Sequence, residues 1–468
     1  MTTECRQTGF EFQGLGSRKV VADFGAGDVS SDGGGLLLRE MESKRRWIQN
    51  AAACFSDGRN PDLIEHSVPE LCAQLVYGLS LGYEDLNDHD RLCTDPLLAV
   101  VCGKSDPSGQ NRRRSEDRGK PLAGKSTLNR LQLSTNTGDR YKRIVCDEAK
   151  MANLFLEQFI NRPRKQAPVE LILDLDATDD PIHGMQEGRF FHGYYDHYCY
   201  LPLYIFCGSE LLCAKLRPAN IDGAAGSLEE VERLVSALRE KWPEVRIILR
   251  GDSGFCREEL MVWCEQNRVD YIFGLARNAR LLRMIEPSLQ SATRAQEILG
   301  GSVRVYQELR YQTCTSWSKT RRVVAKAEVL PGKQNPRFIV TSLSSDYAGA
   351  AELYEVGYCA RGDMENRIKE QQLGLFADRT STHTLRANQL RVWFSAIAYS
   401  LLNDLRELAL HTTKLARAQC SSLRVWLLKI GALITVSVRR VYIRMASAFP
   451  LQAEFATALE QIGKLSSA

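Results

Sequence analysis

The eleven residues Glu170–Asp180, reading ELILDLDATDD, constrain the fold of this chain more than any other stretch. The run from Val169 to Leu175 is mostly apolar and reads as a buried strand. Side chains two apart on a strand share a face, so Asp174 and Asp176 point the same way. Two carboxylates at the open end of a buried strand are costly to desolvate unless a cation lies beside them. A divalent metal ion is the simplest such cation. The other reading of these acids is a solvated turn or a helix N-cap. What separates the two is whether carboxylates from elsewhere in the chain converge on the same place.

Downstream of this strand the pattern is regular. His197 to Cys207 reads as a second strand, and Leu211 to Leu216 as a third, paired to it through a Gly208-Ser209 turn. Ser227 to Lys241 is an amphipathic helix, with Leu228, Val231, Leu234, Val235 and Leu238 on one side. Val245 to Asp252 is a strand that again runs into a carboxylate. A helix over Arg257 to Asn267 and a strand over Tyr271 to Leu275 follow. The order β-β-β-α-β-α-β resembles an RNase H-like mixed sheet, so the expected fold class is α/β. From Ala276 to Ala348 the pattern turns β-rich, with strands expected at Val303–Tyr306, Arg321–Val329 and Phe338–Thr341 as a separate insertion.

The flanking regions read as helical. Residues 1 to about 35 form a Gly-rich, loosely structured arm before helices at Leu36–Ala53, Val68–Leu81 and Asp95–Val101. Val68–Leu81 is bounded by Ser67 as N-cap, Pro69 in the first turn and Gly82 past the end. A breaker-rich loop over Lys104–Gly119 precedes a short helix that Ser126 caps and whose polar face carries Asn129 and Arg130, a weak helix-turn-helix signal. A helix over Asp139–Phe159 leads to a linker at Asn161–Arg164. Beyond the insertion, helices are expected over Ala350–Leu375, Asn388–Leu408 and Leu423–Ile434.

The 468 residues are too many for one core, so two to four domains are expected. Net charge is only +4, but its distribution is uneven. From Arg379 to Ser447 the only acids are Asp404 and Glu407, against eleven Lys and Arg residues. A second basic stretch, Lys104 to Arg143, includes Arg112-Arg113-Arg114. Basic regions on either side of an acidic centre suggest polyanion binding around an acid-lined site. Solvated helix faces are the alternative. None of the fourteen cysteines forms a C-x-x-C pair, and many lie in apolar runs, which points to buried thiols in a reducing cytosol. The N-terminus lacks a signal-peptide pattern and no apolar run approaches the roughly 20 residues of a membrane span. The expected setting is the cytoplasm of a bacterium.

The helix from Ala350 supplies a third carboxylate. Tyr354, Tyr358, Arg361, Glu365 and Lys369 recur at spacings of three and four, which at about 100° per residue places them within roughly an 80° arc. Leu353, Val356, Ala360, Met364 and Ile368 form a neighbouring apolar stripe for packing on the sheet. The plain alternative is a solvated face with i,i+4 ion pairs, each contributing a few tenths of a kcal/mol, about 0.2–0.5.

Three motifs now stand in order: Asp176-Ala177-Thr178 at the end of the first strand, Arg250-Gly251-Asp252-Ser253-Gly254-Phe255 at the end of the fourth, and Tyr358-x2-Arg361-x3-Glu365 on a helix. Together they resemble the DDE transposases of bacterial insertion sequences, and more narrowly the group with a Tyr-x2-Arg-x3-Glu signature and a β-rich insertion before the glutamate helix. The resemblance covers about 165–390. It implies a layout of a helical DNA-binding region over 1–163, the first part of the catalytic core over 164–276, the insertion over 277–348, the second part of the core over 349–412, and a basic helical region over 413–468. It also implies that Asp176, Asp252 and Glu365 bind two divalent metal ions, Mg²⁺ with Mn²⁺ able to substitute. Asp176 would bridge them, with Asp174 as the competing choice. Two ions about 4 Å apart stabilise the attacking and leaving oxygens of phosphodiester cleavage. Arg361 and Lys369 would hold flanking phosphates, and Tyr358 would pack on a sugar or phosphate. Gly251 and Gly254 would let a DNA backbone approach Asp252. Arg250 and Arg130 are further DNA-contact candidates, and Trp317 in the insertion is the candidate for holding a flipped base. The family often has a lysine seven residues past the glutamate; here that position is Gln372, and Lys369 stands in for it.

The function so implied is metal-dependent cleavage and strand transfer at the inverted ends of an insertion sequence. The partners would be double-stranded DNA, both ends and target, and a second copy of the chain in a paired-end complex, with no membrane. A nuclease of the same fold without strand transfer, or a catalytically silent DNA-binding repressor, are the alternatives.

Overall fold

The computed structural model describes residues 9–134, 138 and 140–466. It divides into two units, one of Met1–Asp147, Gly374–Phe376 and Ile397–Ala468, the other of Glu148–Leu373 and Ala377–Ala396. The terminal regions drawn above as separate, ending at 163 and beginning at 413, therefore fold together.

The second unit is a mixed α/β fold. Its elements are α1 (Glu148–Asn161), β1 (Glu170–Ala177), β2 (Leu203–Cys207), β3 (Glu210–Lys215), α2 (Ser227–Lys241), β4 (Arg246–Gly251), α3 (Glu258–Gln266), β5 (Asp270–Leu275), α4 (Glu286–Leu299), β6 (Val303–Tyr311), β7 (Arg321–Leu330) and β8 (Arg337–Thr341). The strands form one sheet in the order β3-β2-β1-β4-β5-β8-β7-β6, with the two-residue strand Lys333–Gln334 beside β7. β1, β4 and β5 run parallel, and their outer neighbours pair antiparallel. Central parallel strands are buried on both faces, which is why they read as near-continuous apolar runs. Leu171, Leu173, Leu175, Ile247, Leu249, Tyr271 and Phe273 pack against Val231, Leu234 and Leu238 of α2 and Leu260 of α3. The opposite face, with Ile172, Ile248, Ile272, Val324 and Ile339, packs against Leu353, Tyr354 and Tyr358.

Four expectations for this unit need correction. The insertion is not a separate β-rich body: β8 pairs antiparallel with β5, so β6–β8 extend the core sheet. Its residues alternate in phase with the core, Val323, Ala325 and Val340 joining one face and Val324 and Ile339 the other. It also carries two helices, Ala279–Met284 and α4, that went unread. The second strand is broken at Pro202, which has no N–H to donate. His197–Tyr200 pairs instead with Asp180–Pro181 and Phe190–His192 in a small sheet. The helix expected over Asp139–Phe159 begins at Glu148, after a strand at Ile144–Cys146; Asp139 itself lies outside the described residues. The segment from Ala350 is not a uniform α-helix. It runs as a short α-turn Ala350–Glu352, a π-helix Leu353–Tyr358, a 3₁₀ turn Cys359–Arg361 and an α-helix Gly362–Lys369. The wider π turn rotates later residues out of phase. Leu353, Met364 and Ile368 are buried as expected, but Val356 is 68% exposed and Tyr354 is buried in its place.

In the first unit, Val68–Leu81 has the expected ends: Ser67 and Glu70 form a reciprocal capping box and Gly82 closes the helix at φ +98°. The helix expected over Leu36–Ala53 breaks into Gly35–Arg45 and Trp47–Ala52 at Arg46, which has φ 55°. Gly124, not Ser126, is the N-cap of Lys125–Gln132. The N-terminal arm carries a hairpin, Phe10–Leu15 with Arg18–Ala22, and its strand Val29–Ser30 pairs with Ala432–Val436. That last strand takes the final three residues of the helix expected over Leu423–Ile434; the chain is helical only as far as Leu428, as a short helix and a π turn, and then forms a hairpin with Val441–Met445. Part of the C-terminal charge is internal, in both signs: Lys429 pairs with Asp32 at 2.6 Å, and the acid Asp404 accepts from Arg45 and from the indole N–H of Trp47 at 2.9 and 2.7 Å. Among the described residues no helix is long and apolar enough to cross a membrane.

Candidate active site

The parallel register of β1 and β4 sets Arg250 beside Asp174 and Gly251 beside Leu175. The next residues on the two strands are Asp176 and Asp252, so the register alone brings two acids to one end of the sheet. Asp174 sits two residues deeper and is committed elsewhere. It is buried and accepts two bonds from Arg250, whose Nη2 reaches Oδ2 at 2.8 Å while Nε reaches Oδ1. The third Arg250 nitrogen, Nη1, donates to the carbonyl of Gly357 in the π-helix. One guanidinium thus ties β1, β4 and the glutamate-bearing segment together. A fork with every arm used inside the protein is not a phosphate contact, and this corrects the expectation for Arg250.

Gly274, inside β5, lets that segment lie close on the sheet below Tyr358, whereas a Cβ on Gly357 would make only ordinary contact, 3.4 Å from the Ile272 and Leu353 side chains. A Cβ on Gly274 would meet the Tyr358 hydroxyl at 2.7 Å and the Ser253 nitrogen at 2.8 Å, neither of them tolerable. Gly274 therefore seats both the turn that carries Asp252 and the tyrosine above it. Asp252 Oδ1 accepts the Gly254 N–H at 2.8 Å, and a Cβ on Gly254 would crowd that oxygen. A Cβ on Gly251 would press on Phe255. These two glycines make room for the protein's own side chains around Asp252.

The seated segment places Arg361 between two acids. Its Nη1 donates to Asp176 Oδ1 at 3.1 Å and its Nη2 to Glu365 Oε1 at 2.5 Å. Burial pushes the Asp176 carboxyl up to about 7; the negative charges of Asp252 and Glu365 add to that and Arg361 opposes it. Arg361 is in turn held more firmly protonated by Asp176, Tyr358, Glu365 and Asp252, against its own burial. Asp176, Asp252 and Glu365 thus share one electrostatic neighbourhood around a single cation. Among the described residues no three His, Cys, Asp or Glu side chains stand together as a ready metal cage. The donor set still fits a hard divalent ion in kind, being all carboxylate oxygen with a partly buried acid short of compensating charge. Glu365, with its side chain 45% exposed, has space to turn from Arg361.

The remaining candidates separate clearly. Tyr358 is half-buried beside Tyr354, ring centroids 5.6 Å apart, and Lys369 is exposed one turn beyond Glu365. Gln372 donates to the Asp179 carbonyl at 2.8 Å and so braces the acidic turn. Trp317 is buried, edge-on to Tyr311 and under the Arg321 guanidinium, so it is a core residue of the insertion and not a presented ring. Arg130 is exposed in the first unit, in a cleft of about 660 Å³ that Arg59, Arg112, Arg113, Arg114 and Lys120 also line.

Two features went unread. Gly274 had a signal, a glycine inside an apolar strand, which marks close approach by a neighbour. The other is the hairpin Phe190–His192/His197–Tyr200, which the acidic turn holds. The Tyr195 hydroxyl donates to the carbonyl of Ala177 at 3.3 Å, and His197 Nε2 lies 2.9 Å from Asp179 Oδ2. Its signal was the aromatic density of Phe190 to Tyr198.

A family described as transposase DDE domain group 1 matches residues 12–467. Among solved structures, the chain is similar to a piggyBac transposase determined by cryo-EM in a synaptic complex with hairpin DNA. The two share 12% identity over 86% of this chain and 80% of that one, with a TM-score of 0.39. No curated protein matches the chain.

Proposed function

The chain belongs to the transposase DDE domain family, group 1, and from that premise we propose that it cleaves DNA at the inverted ends of an insertion sequence and joins the freed ends to target DNA. The observation that carries this reading is the convergence of Asp176 and Asp252 at adjacent parallel strand ends, with Glu365 reached through the shared Arg361. The strand order β3-β2-β1-β4-β5, with helical crossovers after β3 and β4, supports an RNase H-like core.

In this reading Asp176, Asp252 and Glu365 hold two divalent ions, Mg²⁺ or Mn²⁺, which supply charge stabilisation to the attacking and leaving oxygens. The chain's own residues supply the rest. Arg361 keeps the acids from repelling one another before substrate enters and is then available to a phosphate oxygen. Lys369, exposed one turn on, neutralises the flanking phosphate. Tyr358, seated on Gly274, packs against the backbone at the cleavage point. Arg130 and its neighbouring arginines contact duplex phosphates and contribute salt-dependent affinity. The two DNA ends are held by two copies of the chain, in the cytoplasm of a bacterium.

The test is cleavage in vitro of DNA carrying the terminal inverted repeats that flank the gene, with Mg²⁺ or Mn²⁺. Nicked and joined products are expected from the unaltered chain and neither from Asp176→Ala, Asp252→Ala or Glu365→Ala. Cleavage without joined products would make it a nuclease. Cleavage by all three variants at the unaltered rate would sink the assignment.

A further inference from the structure

The hairpin beside the acids presents aromatic rings to solvent and little else. Tyr194 is 86% exposed at its tip and Phe191 53% exposed on its first strand, with Phe190 and Tyr198 also exposed. Phe191 and Tyr198 are cross-strand partners, ring centroids 5.7 Å apart and edge-on. Arg189 lies 4.4 Å from the Tyr198 ring centroid, so a cation backs the aromatic surface. The rings touch within the hairpin, Phe191 against Tyr198 and Tyr194 edge-on to Tyr195 at 5.0 Å, and still leave more than half of Phe191 and most of Tyr194 in solvent. The hairpin is also fixed in place. Tyr195 turns inward, its hydroxyl on the carbonyl one residue past Asp176, and His197 pins the second strand to Asp179. The closing turn is tight, with the Asp196 N–H on the His192 carbonyl at 2.9 Å and Asp196 at φ 59°.

We propose that this hairpin is a stacking platform for unpaired nucleobases next to the phosphodiester held at Asp176, with Phe191 and Tyr194 as the stacking rings. The proposal rests on the DNA-cleaving reading above. Three observations favour bases over a protein partner. The exposed apolar groups are all rings, with no exposed aliphatic side chain among residues 190–198. A cation–π pair, Arg189 on Tyr198, belongs to the surface. And the anchor is one residue from an acid that would act on a phosphate, so the adjoining nucleotides must pass the rings. Bases within a duplex are already stacked on one another; only unpaired ones offer free faces. Each base stacked on an aromatic side chain contributes about 1–3 kcal/mol to binding single strands.

The experiment uses the full chain in EDTA, so that binding is read without cleavage. Two probes are compared: a blunt duplex, and the same duplex forked by five unpaired thymines and one 2-aminopurine. The expected result is tighter binding of the fork with quenched 2-aminopurine fluorescence. The Phe191→Ala/Tyr194→Ala double variant should lose about tenfold or more on the fork and nothing on the blunt duplex, while Tyr194→Phe keeps both. Equal affinity of the double variant and the unaltered chain for the fork overturns the proposal. So does an equal loss on both probes, which would assign the rings to the fold or to duplex contact. So too does a change in sedimentation of the DNA-free protein with fork affinity intact, which would make the rings a contact between copies. If the fork result holds but the unaltered chain cleaves no DNA with Mg²⁺, the cleavage reading falls and the platform stands.

Discussion

Asp174 and Asp176 lie two residues apart on one face of one strand, and each faces an arginine. The inner pair is closed. Asp174 accepts a two-pronged bond from Arg250, both residues are under a tenth exposed, and the spare nitrogen of Arg250 is spent on Gly357. The outer pair is open. Arg361 gives Asp176 one bond and shares itself with Glu365, and burial leaves the Asp176 carboxyl pushed up to about 7. Identical side-chain chemistry therefore does two jobs. Where both partners are satisfied, the charge acts as a rivet; where one cation serves several acids, the shortfall in positive charge is what a substrate or an ion can fill.

The largest effect should come from breaking the rivet. Asp174→Ala leaves Arg250 buried without its counter-charge, and the loss in urea unfolding of the isolated protein should be about 3–5 kcal/mol. A loss under about 1 kcal/mol would erase the distinction between the pairs. A closed pair with a neutral acceptor tests the same rule by pH. Arg112 donates to His66 Nε2, and burial, then Lys104, Arg112 and Arg59, hold the imidazole down to about 3. The unfolded chain takes up that proton near 6.5. Stability is thus complete above about pH 6.5 and falls as pH drops toward 3, by on the order of 3 kcal/mol at about pH 4. Thermal unfolding against pH should show this slope, and His66→Gln should flatten it.

Next comes Gly274→Ala, which forces Tyr358 and the Asp252 turn apart and should cost about 1–3 kcal/mol, with DNA cleavage falling further than stability does. Unchanged cleavage would mean that the seat does not position the acids. The smallest stability effect is expected at the open pair. Asp176→Asn removes a buried, under-compensated charge, so unfolding should move by less than about 1 kcal/mol while cleavage is abolished. Should Asp176→Asn destabilise as much as Asp174→Ala, both acids would be structural and the site would have to lie elsewhere.

Much of the core was legible because periodicity carries it. Ser227–Lys241 was read to the residue, and the strand ends holding Asp176 and Asp252 to within one or two. What escaped was set by tertiary context. Nothing local to Leu353–Tyr358 distinguishes a π turn from an α turn, yet that turn puts Tyr354 in the core and Val356 outside. The apolar run Val323–Ala325 announces a strand but not its partner, so the insertion's fusion to β5 was invisible. The role of Arg250 depends on a register that only pairing fixes. Pro202 was a breaker in plain sight, outweighed by the apolar residues around it. The triad of acids was legible as three motifs; that Arg361 stands among them was not.

The floor under the glutamate segment, Ile272, Val324 and Ile339, is assembled from β5, β7 and β8, and Glu365 follows Asp252 by 113 residues. At about 5–20 residues per second, a ribosome needs roughly 6–23 s to travel from one acid to the next. Throughout that interval the nascent chain carries two acids and no third, and lacks the surface on which the third will dock. Because the insertion is part of the docking floor, truncation anywhere before Thr341 yields a chain without an assembled site. The topology is in effect a timing device: Glu365 can join Asp176 and Asp252 only after every strand of its docking floor has been made.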